Sequence, residues 1–241
     1  MKRHYPRWAY LATWLAFPAY IWQGIGVRLK SDRLLPPAGE PEGIFVGKGA
    51  PIKLLVLGDS SVVGIGVDVI EDGMAWQLAN ALQEKTGRTI VWRAAGFNSA
   101  IAADIRDHAV PLIEPDDWTH IVLSIGVNDT KNFHSLGRFK REFGTLLYAL
   151  KARFPMATIL WSPMVDMRHV PALPDLLALI LAVRADAFNV KGAQLCAERG
   201  VGFADPLPVD DPGGFSRDGF HAGTEGYKAW ADHLVPHLTG N

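Results

Sequence analysis

The sequence predicts an α/β fold in which helices cover both faces of a mostly parallel sheet. Two observations support this fold class. Short apolar runs rich in β-branched residues alternate along the chain with longer segments in which apolar side chains recur at helical spacing. The chain has 241 residues, of which 49% are hydrophobic, so it can bury one substantial core.

The predicted elements follow one another from residue 52 onward. Buried strands are expected at 52–57, 89–93, 120–125, 158–161 and 201–204. Helices are expected at 73–85, 101–113, 139–153, 176–199 and 224–238. The alternation predicts about five parallel strands in a three-layer α/β/α arrangement. Residues 34–51 are interpreted as a linker, since prolines in the stretch prevent a regular helix, and 52–241 as the main domain.

Residues 1–33 form a separate apolar N-terminal segment. From Trp8 to Val27 there are 20 residues without a formal charge, with basic residues on both flanks. This length can just cross a bilayer, and aromatic residues near both ends are typical of membrane interfaces. Polar and glycine residues weaken the last turn, so three arrangements stay open: a span, a helix on the membrane surface, or a helix packed on the domain or on a second subunit. Membrane contact through residues 8–27 is favoured, with a cytoplasmic or periplasmic location as the alternative.

A Gly-Asp-Ser-Ser sequence directly follows the first predicted strand and places Ser60 on the turn that leaves it. A serine hydroxyl is a weak nucleophile at neutral pH and needs a base within hydrogen-bond reach. His221 is the candidate base. Asp218 precedes it by three residues, near enough to accept the other ring N–H and hold the imidazole in one tautomer. These three residues are the candidate catalytic set for acyl transfer.

Two further segments provide donors for the oxyanion that forms when a hydroxyl attacks an ester. Gly96 ends one predicted strand and lets the backbone approach a substrate closely. Asn128 follows another strand, and its neutral amide donates without a countercharge. We expect the backbone N–H groups of Ser60 and Gly96 and the side chain of Asn128 to form the oxyanion hole. Taken singly, the Gly-Asp-Ser segment is as typical of an ordinary turn as of a catalytic site. The Asn128 segment alone is more typical of a helix cap, and Asp218 to His221 alone of a surface turn. It is their occurrence together that favours catalysis.

In these segments the chain resembles the SGNH hydrolases, a branch of the GDSL esterases and lipases, from about residue 52 to 238. The four signature residues of that family would be Ser60, Gly96, Asn128 and His221. Ala222 stands where the family usually has a proline. The resemblance implies a flavodoxin-like sheet and a serine esterase that needs no cofactor.

The expected substrate is a small-molecule or lipid ester with a short to medium acyl chain. Residues expected near it are Asp59, Phe97, Val170, Pro171 and Leu173, although the aliphatic residues of this last region are also typical of core packing. Asp59 is further expected to brace the loop near Asn128. Two other functions stay open: a carbohydrate O-acetylesterase or acyltransferase with the same nucleophile, and a catalytically silent, membrane-tethered binding module.

Several chemistries are disfavoured by composition and motifs. A net charge of −1 without a basic run argues against nucleic acid as a partner. The single Cys196 cannot form an internal disulfide. No metal is expected, because the sequence has no His-Glu-x-x-His, no cysteine pair and no compact acidic cluster. Val62 replaces the second glycine of a Gly-x-Ser-x-Gly elbow, which disfavours the α/β-hydrolase fold. The oligomeric state is not predicted.

Overall fold

The computed structural model describes residues 4–115, 117–209 and 212–240. Its strands are β1 (Glu42–Phe45), β2 (Ile52–Gly58), β3 (Ile90–Gly96), β4 (His120–Ser124), β5 (Thr158–Ser162) and β6 (Gly202–Phe203). Its α-helices are α1 (Arg7–Leu15), α2 (Phe17–Lys30), α3 (Ser60–Val63), α4 (Met74–Thr86), α5 (Ala102–Asp104), α6 (Val127–Lys131), α7 (Leu136–Arg153), α8 (Asp175–Glu198) and α9 (Thr224–Thr239).

The strands form one sheet in the order β1-β3-β2-β4-β5-β6. All pairs from β2 to β6 are parallel, and β1 joins the edge antiparallel to β3. Counted from β2, the parallel strands have the flavodoxin-like order 2-1-3-4-5. The predicted fold class is therefore confirmed. The strand order reverses between β2 and β4, which opens a crevice beyond their carboxyl ends.

The sixth strand, β1, lies within the segment interpreted as a linker. Its four residues are all exposed or half-buried, so no apolar run marks it in the sequence. Pairing with β3 stabilises it, and the Pro41 carbonyl also accepts a hydrogen bond from the Ala94 N–H at 2.7 Å. The division of the chain at residues 33 and 51 stays a prediction.

Side chains of the central strands alternate between two apolar layers, as expected for a sheet covered on both faces. Leu55 and Leu57 of β2 join the cluster that includes α7 and α8. Leu54 and Val56 join the cluster that includes α4 and α9. The sheet is thereby fixed between two helical layers, and only its strand ends remain for a site.

The predicted helix at 101–113 is three short helical pieces. α5 is followed by a π-helix at Ile105–Ala109 and a 3-10 helix at Val110–Leu112. Pro111 lies in the last piece and has no N–H to continue a regular helix. The other predicted helices and strands are found with shifts at their ends.

The N-terminal segment forms two helices that pack on the domain by one face. The Phe133 ring contacts Trp14, Phe17 and Tyr20, with centroids 4.7–5.0 Å apart. The buried guanidinium of Arg184 donates to Thr13 Oγ1 at 3.1 Å and lies over the Phe133 ring at 3.7 Å. Within the described ranges, no helix has the length and apolarity needed to cross a bilayer.

Candidate active site

Ser60 is the first residue of α3, directly beyond the carboxyl end of β2. Asp59 caps this short helix, since its Oδ1 accepts a hydrogen bond from the Ser61 N–H at 3.1 Å. Gly64 ends the helix with a left-handed φ of 84°, a conformation that glycine adopts without strain. The tight turn holds Ser60 at the crevice with only 8% of its surface exposed.

Ser60, His221 and Asp218 form a continuous hydrogen-bonded chain. His221 Nε2 lies 3.1 Å from Ser60 Oγ, and His221 Nδ1 lies 2.6 Å from Asp218 Oδ2. Both distances are within the range expected of a nucleophile, its base and the group that orients the base. The structure therefore brings the three predicted residues together although Ser60 and His221 are 161 positions apart.

Asp218 is held as a carboxylate. Its Oδ1 accepts hydrogen bonds from the Ser216 hydroxyl and from the backbone N–H groups of Phe220 and His221, at 2.8–2.9 Å. Burial alone raises the pKa of this carboxyl, but the hydrogen bond to the His221 ring and those three donors outweigh it. The pKa of Asp218 is thereby held well below its ordinary value. Asp218 can stabilise an imidazolium without taking its proton.

The loop that carries His221 packs closely against Gly66. A Cβ at Gly66 would lie 2.1 Å from the Ala222 carbonyl oxygen, and the backbone there has a φ of +119°. α9 begins three residues after His221, and its buried Tyr227 donates to the Ile65 carbonyl at 2.7 Å. Gly66 and α9 thus fix the distance between base and nucleophile.

Asn128 reaches the same region from α6. Its Nδ2 donates to Ala100 O at 3.0 Å and to Asp59 Oδ2 at 3.2 Å. The bracing contact expected between Asp59 and Asn128 is therefore present. Gly96 ends β3 in register with Gly58, and a Cβ there would lie 1.9 Å from the Gly58 carbonyl oxygen. Close strand packing accounts for this glycine, and its role as an oxyanion donor stays a prediction.

Buried charge surrounds the nucleophile turn. Burial raises the pKa of Asp59, against the Ser61 hydrogen bonds and the charge of Lys131. Burial lowers the pKa of Lys131, although Asp59 and Asp218 favour its charge. The Lys131 ammonium lies 4.6 Å from the centroid of the Phe220 ring. Lys131 is thus a cation near the site that motif reasoning missed.

A cavity of about 400 Å³ opens at Ser60, Asn128 and His221. Its walls are mainly apolar and come from the loop after β5, the loop after β6 and α9: Met164, Val165, Met167, Val170, Leu207, Pro208, Val209, Phe215, Phe220, Ala222, Ala229 and Trp230. The Trp230 indole N–H donates a hydrogen bond to Ser162 Oγ at 2.7 Å, which joins α9 to the end of β5.

The predicted substrate-binding residues divide into two groups. Asp59 and Val170 line the cavity. Phe97, Pro171 and Leu173 are not among its lining residues; the first two are exposed and Leu173 packs against the core. The loop after β5 brings Val170 to the cavity, whereas Pro171 and Leu173 do not line it. The sequence of this loop has no periodicity that would distinguish these three residues.

The wall formed by residues 207–209 was missed, because a Leu-Pro-Val stretch after a weak strand has no specific signal. A second missed feature is a buried group of three potential metal ligands, Asp129, His134 and Glu142. It contains two carboxylates and one imidazole, which come from α6, from the loop after α6 and from α7.

Comparison with known proteins identifies the family. Residues 56–229 match the GDSL-like Lipase/Acylhydrolase family, over more than half of the chain. The chain belongs to this family. As a GDSL-like acylhydrolase it is a carboxylic ester hydrolase, and the resemblance to the SGNH hydrolases is confirmed. No curated protein sequence matches the chain.

Solved structures of GDSL-like and related esterases share its fold. An esterase, EstA, from Pseudoalteromonas sp. has 15% identity and a TM-score of 0.60, covering 78% of this chain and 98% of its own. A lipase/acylhydrolase from Enterococcus faecalis has 15% identity and a TM-score of 0.60, covering 78% and 96%. Axe2, an acetylxylan esterase from Geobacillus stearothermophilus, has 16% identity and a TM-score of 0.58, covering 80% and 95%. At these identities the likeness supports the fold only.

Proposed function

We propose that this acylhydrolase cleaves esters with short to medium acyl chains through an acyl-enzyme intermediate on Ser60. The observation that carries the proposal is the hydrogen-bonded chain from Ser60 through His221 to Asp218, which opens into a mainly apolar cavity. In this proposal, the Ser60–His221–Asp218 chain carries out the reaction, and the apolar wall of the cavity binds the acyl group.

In the proposed first step, Ser60 Oγ attacks the ester carbonyl while His221 Nε2 takes the hydroxyl proton. Asp218 stays ionised and stabilises the imidazolium. His221 then protonates the leaving alcohol, which departs and leaves the acyl group on Ser60. In the second half, water gives a proton to His221 and attacks the acyl carbon. The bond between that carbon and Ser60 Oγ then breaks, His221 returns the proton to Ser60, and the acid is released.

The oxyanion of each tetrahedral intermediate needs donors at fixed positions. Asn128 and the backbone N–H groups of Ser60 and Gly96 are the proposed donors. Both hydrogens of the Asn128 amide already have partners in Asp59 and Ala100. We expect the longer bond, to Asp59 at 3.2 Å, to yield when the oxyanion forms.

Labelling with a fluorophosphonate probe tests the nucleophile. The wild-type protein should react covalently and lose esterase activity, and Ser60→Ala should do neither. Ser61→Ala is the matched control, because it removes the neighbouring hydroxyl and keeps the backbone N–H that donates to Asp59 Oδ1. Labelling that persists in Ser60→Ala, or no labelling of folded wild-type protein, would rule out this nucleophile. The second result would favour a catalytically silent binding module.

A series of p-nitrophenyl esters tests the acyl pocket. A cavity of about 400 Å³ is in the range of small-molecule sites, roughly 300–1,000 Å³. Each methylene that enters it should raise kcat/KM about fourfold, since a buried CH₂ contributes about 0.8 kcal/mol. The rise should stop at a medium chain length.

Val170→Phe narrows this cavity and should move the optimum to shorter acyl chains. Val46→Phe is the matched control, because Val46 is 83% exposed and is not among the cavity-lining residues. An optimum at acetate in the wild type, or equal profiles for the two variants, would contradict the pocket assignment.

A carbohydrate O-acetylesterase or acyltransferase with the same nucleophile is the second candidate. The fold likeness to the acetylxylan esterase Axe2 favours it. Higher activity on acetylated sugars than on butyrate or octanoate esters would support a carbohydrate O-acetylesterase. Transfer of the acyl group to an added alcohol, in competition with water, would select the acyltransferase.

We further propose that α1 and α2 rest on an anionic membrane surface, with residues 8–27 as the contact. The outer face of these helices exposes Trp8, Leu15, Trp22 and Leu29 by 70–88%. The segment from residue 4 to 31 has no acidic residue, and exposed basic residues lie at its ends. An apolar face with flanking cations fits an interfacial helix on anionic lipid.

Co-sedimentation with vesicles tests this location. Binding should be stronger to phosphatidylcholine with phosphatidylglycerol than to phosphatidylcholine alone, and weaker in high salt. The double variant Trp22→Gln and Leu29→Gln should bind at least tenfold more weakly. Met156→Gln, at a residue 91% exposed elsewhere, should bind as the wild type. Self-association that the double variant abolishes, without lipid binding, would indicate a second copy on this face.

A further inference from the structure

We propose that Asp129, His134 and Glu142 bind a divalent transition-metal cation of the zinc or manganese type. One ligand atom from each residue lies within 4.8 Å of the others. The Asp129 residue is fully buried, and the other two are 8% and 9% exposed. Two carboxylates and one imidazole are a donor set that such cations accept.

The facing atoms themselves point to a ligand. Asp129 Oδ1, His134 Nδ1 and Glu142 Oε2 are each shielded from solvent and have no hydrogen-bond partner in the described part of the chain. Buried polar atoms without partners are rare in folded proteins and are costly in free energy. The three residues that carry these atoms have potential ligand atoms within 4.8 Å of one another, so one cation between them would explain all three.

The distances agree with this assignment. His134 Nδ1 and Asp129 Oδ1 are 3.4 Å apart without forming a hydrogen bond. Two donors on one tetrahedral zinc ion, each about 2.0–2.2 Å from the metal, are separated by about 3.3–3.6 Å. A small inward movement of Glu142 completes a three-ligand site, with the fourth position for water.

Outer contacts fix the two carboxylates and leave one oxygen of each for the ion. Asp129 Oδ2 accepts from the Ala102 N–H at 3.1 Å. Glu142 Oε1 accepts from Arg138 Nε at 3.0 Å and from Arg141 Nη2 at 3.4 Å. Such outer partners are typical of metal ligands. The ion would join α6, which carries Asn128, to α7. Its role would therefore be to hold α6 and Asn128 in place.

Isothermal titration with Zn²⁺ and Mn²⁺, after treatment with EDTA and removal of the chelator, tests the site. The folded wild-type protein should bind one ion per chain at this site and melt at a higher temperature with it. Glu142→Gln keeps the size of the side chain and should weaken binding at least tenfold. Glu84→Gln, on the exposed face of α4, should bind as the wild type.

Two other places can bind Zn²⁺, and variants distinguish them from the buried site. The rings of His233 and His237 lie 5.8 Å apart on α9, and His237→Gln removes that pair. His221→Ala removes the catalytic imidazole. The buried site should still take up one ion in both proteins and lose it in His134→Gln.

Absence of stoichiometric binding to the folded wild type, or unchanged binding in Glu142→Gln and His134→Gln, would overturn the proposal. If Glu142→Gln misfolds, Co²⁺ added to the wild type gives an independent readout. A visible absorption band typical of low-coordinate cobalt supports the site, and its absence contradicts it.

Discussion

The pairs Asp218–His221 and Asp129–His134 are built from the same two residue types, yet they are arranged for different chemistry. In the first pair, the ring nitrogen and the carboxylate are 2.6 Å apart, and the other ring nitrogen faces Ser60 in an open cavity. In the second, the facing atoms are 3.4 Å apart and share no hydrogen bond. An aspartate beside a histidine therefore indicates a base only when the other ring nitrogen faces a group that can give up a proton.

The third residue of each group decides its function. Ser60 has a hydroxyl that gives up a proton, so the imidazole next to it can act as a base. Glu142 has no hydroxyl, and its Oε1 accepts hydrogen bonds from Arg138 and Arg141, so it does not offer the imidazole next to it the proton of a nucleophile. The first group is suited to proton transfer and the second to holding a cation.

Neutralising the aspartate of each pair should give the largest contrast. Asp218→Asn leaves the shape of the triad but favours the wrong tautomer of His221, and the expected loss in kcat is about 10⁴-fold. Asp129→Asn changes a charge that contacts no reacting atom, so its loss in kcat should be much smaller. Steady-state kinetics on one p-nitrophenyl ester measures both. Equal losses would mean that Asp218 acts only on the fold.

Asn128→Ala should have the next largest effect. Loss of one oxyanion donor raises the barrier by about 2.7–4 kcal/mol, which corresponds to a fall in kcat of roughly 100- to 1,000-fold. KM should change little, because the donor acts mainly in the transition state. The control is Asn80→Ala on α4, where the amide contacts only an exposed glutamate. An unchanged kcat in Asn128→Ala would remove this residue from the oxyanion hole.

Gly66→Ala should act on the catalytic pair through the backbone alone. The new Cβ would lie 2.1 Å from the Ala222 carbonyl oxygen, so the loop with His221 has to shift. A displacement of about 1 Å at a catalytic group costs up to about 100-fold in rate. Gly49→Ala is a matched control, since Gly49 also has a positive φ but no heavy atom within 4 Å of the added Cβ. Similar kcat values for the two variants would contradict a positioning role for Gly66.

Local patterns in the sequence predicted much of the fold and the candidate catalytic residues that the structure brings together. The five parallel strands are short apolar runs, and Ser60 and the Asp218–His221 pair lie in short motifs with a direct chemical meaning. The antiparallel β1 was not predicted, because an exposed edge strand has no apolar run. The start of α7 was placed three residues late, because its cap Ser135 resembles any serine in a loop.

Features that depend on distant parts of the chain could not be predicted from the sequence. The contact between Arg184 and Thr13 joins residues 171 positions apart, and no motif marks either one. His134 and Glu142 come close to Asp129 only because the chain turns between α6 and α7. Phe133 in this turn has a left-handed backbone with a φ of 55°, and the turn sets the direction in which α7 runs. Whether Val170 or Leu173 faces the cavity depends on the path of one loop.

The two carboxylates next to Ser60 should have opposite effects on stability as pH changes, which is the smallest predicted effect. Hydrogen bonds hold the pKa of Asp218 below its ordinary value, against the effect of burial. Its ionised form therefore stabilises the fold at pH values above about 4, and this contribution is lost as pH falls toward the folded-state pKa. Burial raises the pKa of Asp59. Its contribution is present below about pH 4 and is lost as pH rises through the raised pKa.

Urea unfolding of the wild type, Asp218→Asn and Asp59→Asn between about pH 2.5 and 7 measures these contributions. The stability advantage of the wild type over Asp218→Asn should shrink as the solution becomes acidic. Its advantage over Asp59→Asn should grow over the same interval, because the wild-type Asp59 becomes neutral in its buried position. The other titrating groups of the chain contribute equally to the wild type and to each variant, so they cancel in the difference between the two free energies of unfolding. If both differences changed in the same direction with pH, the two side chains would not have opposite environments.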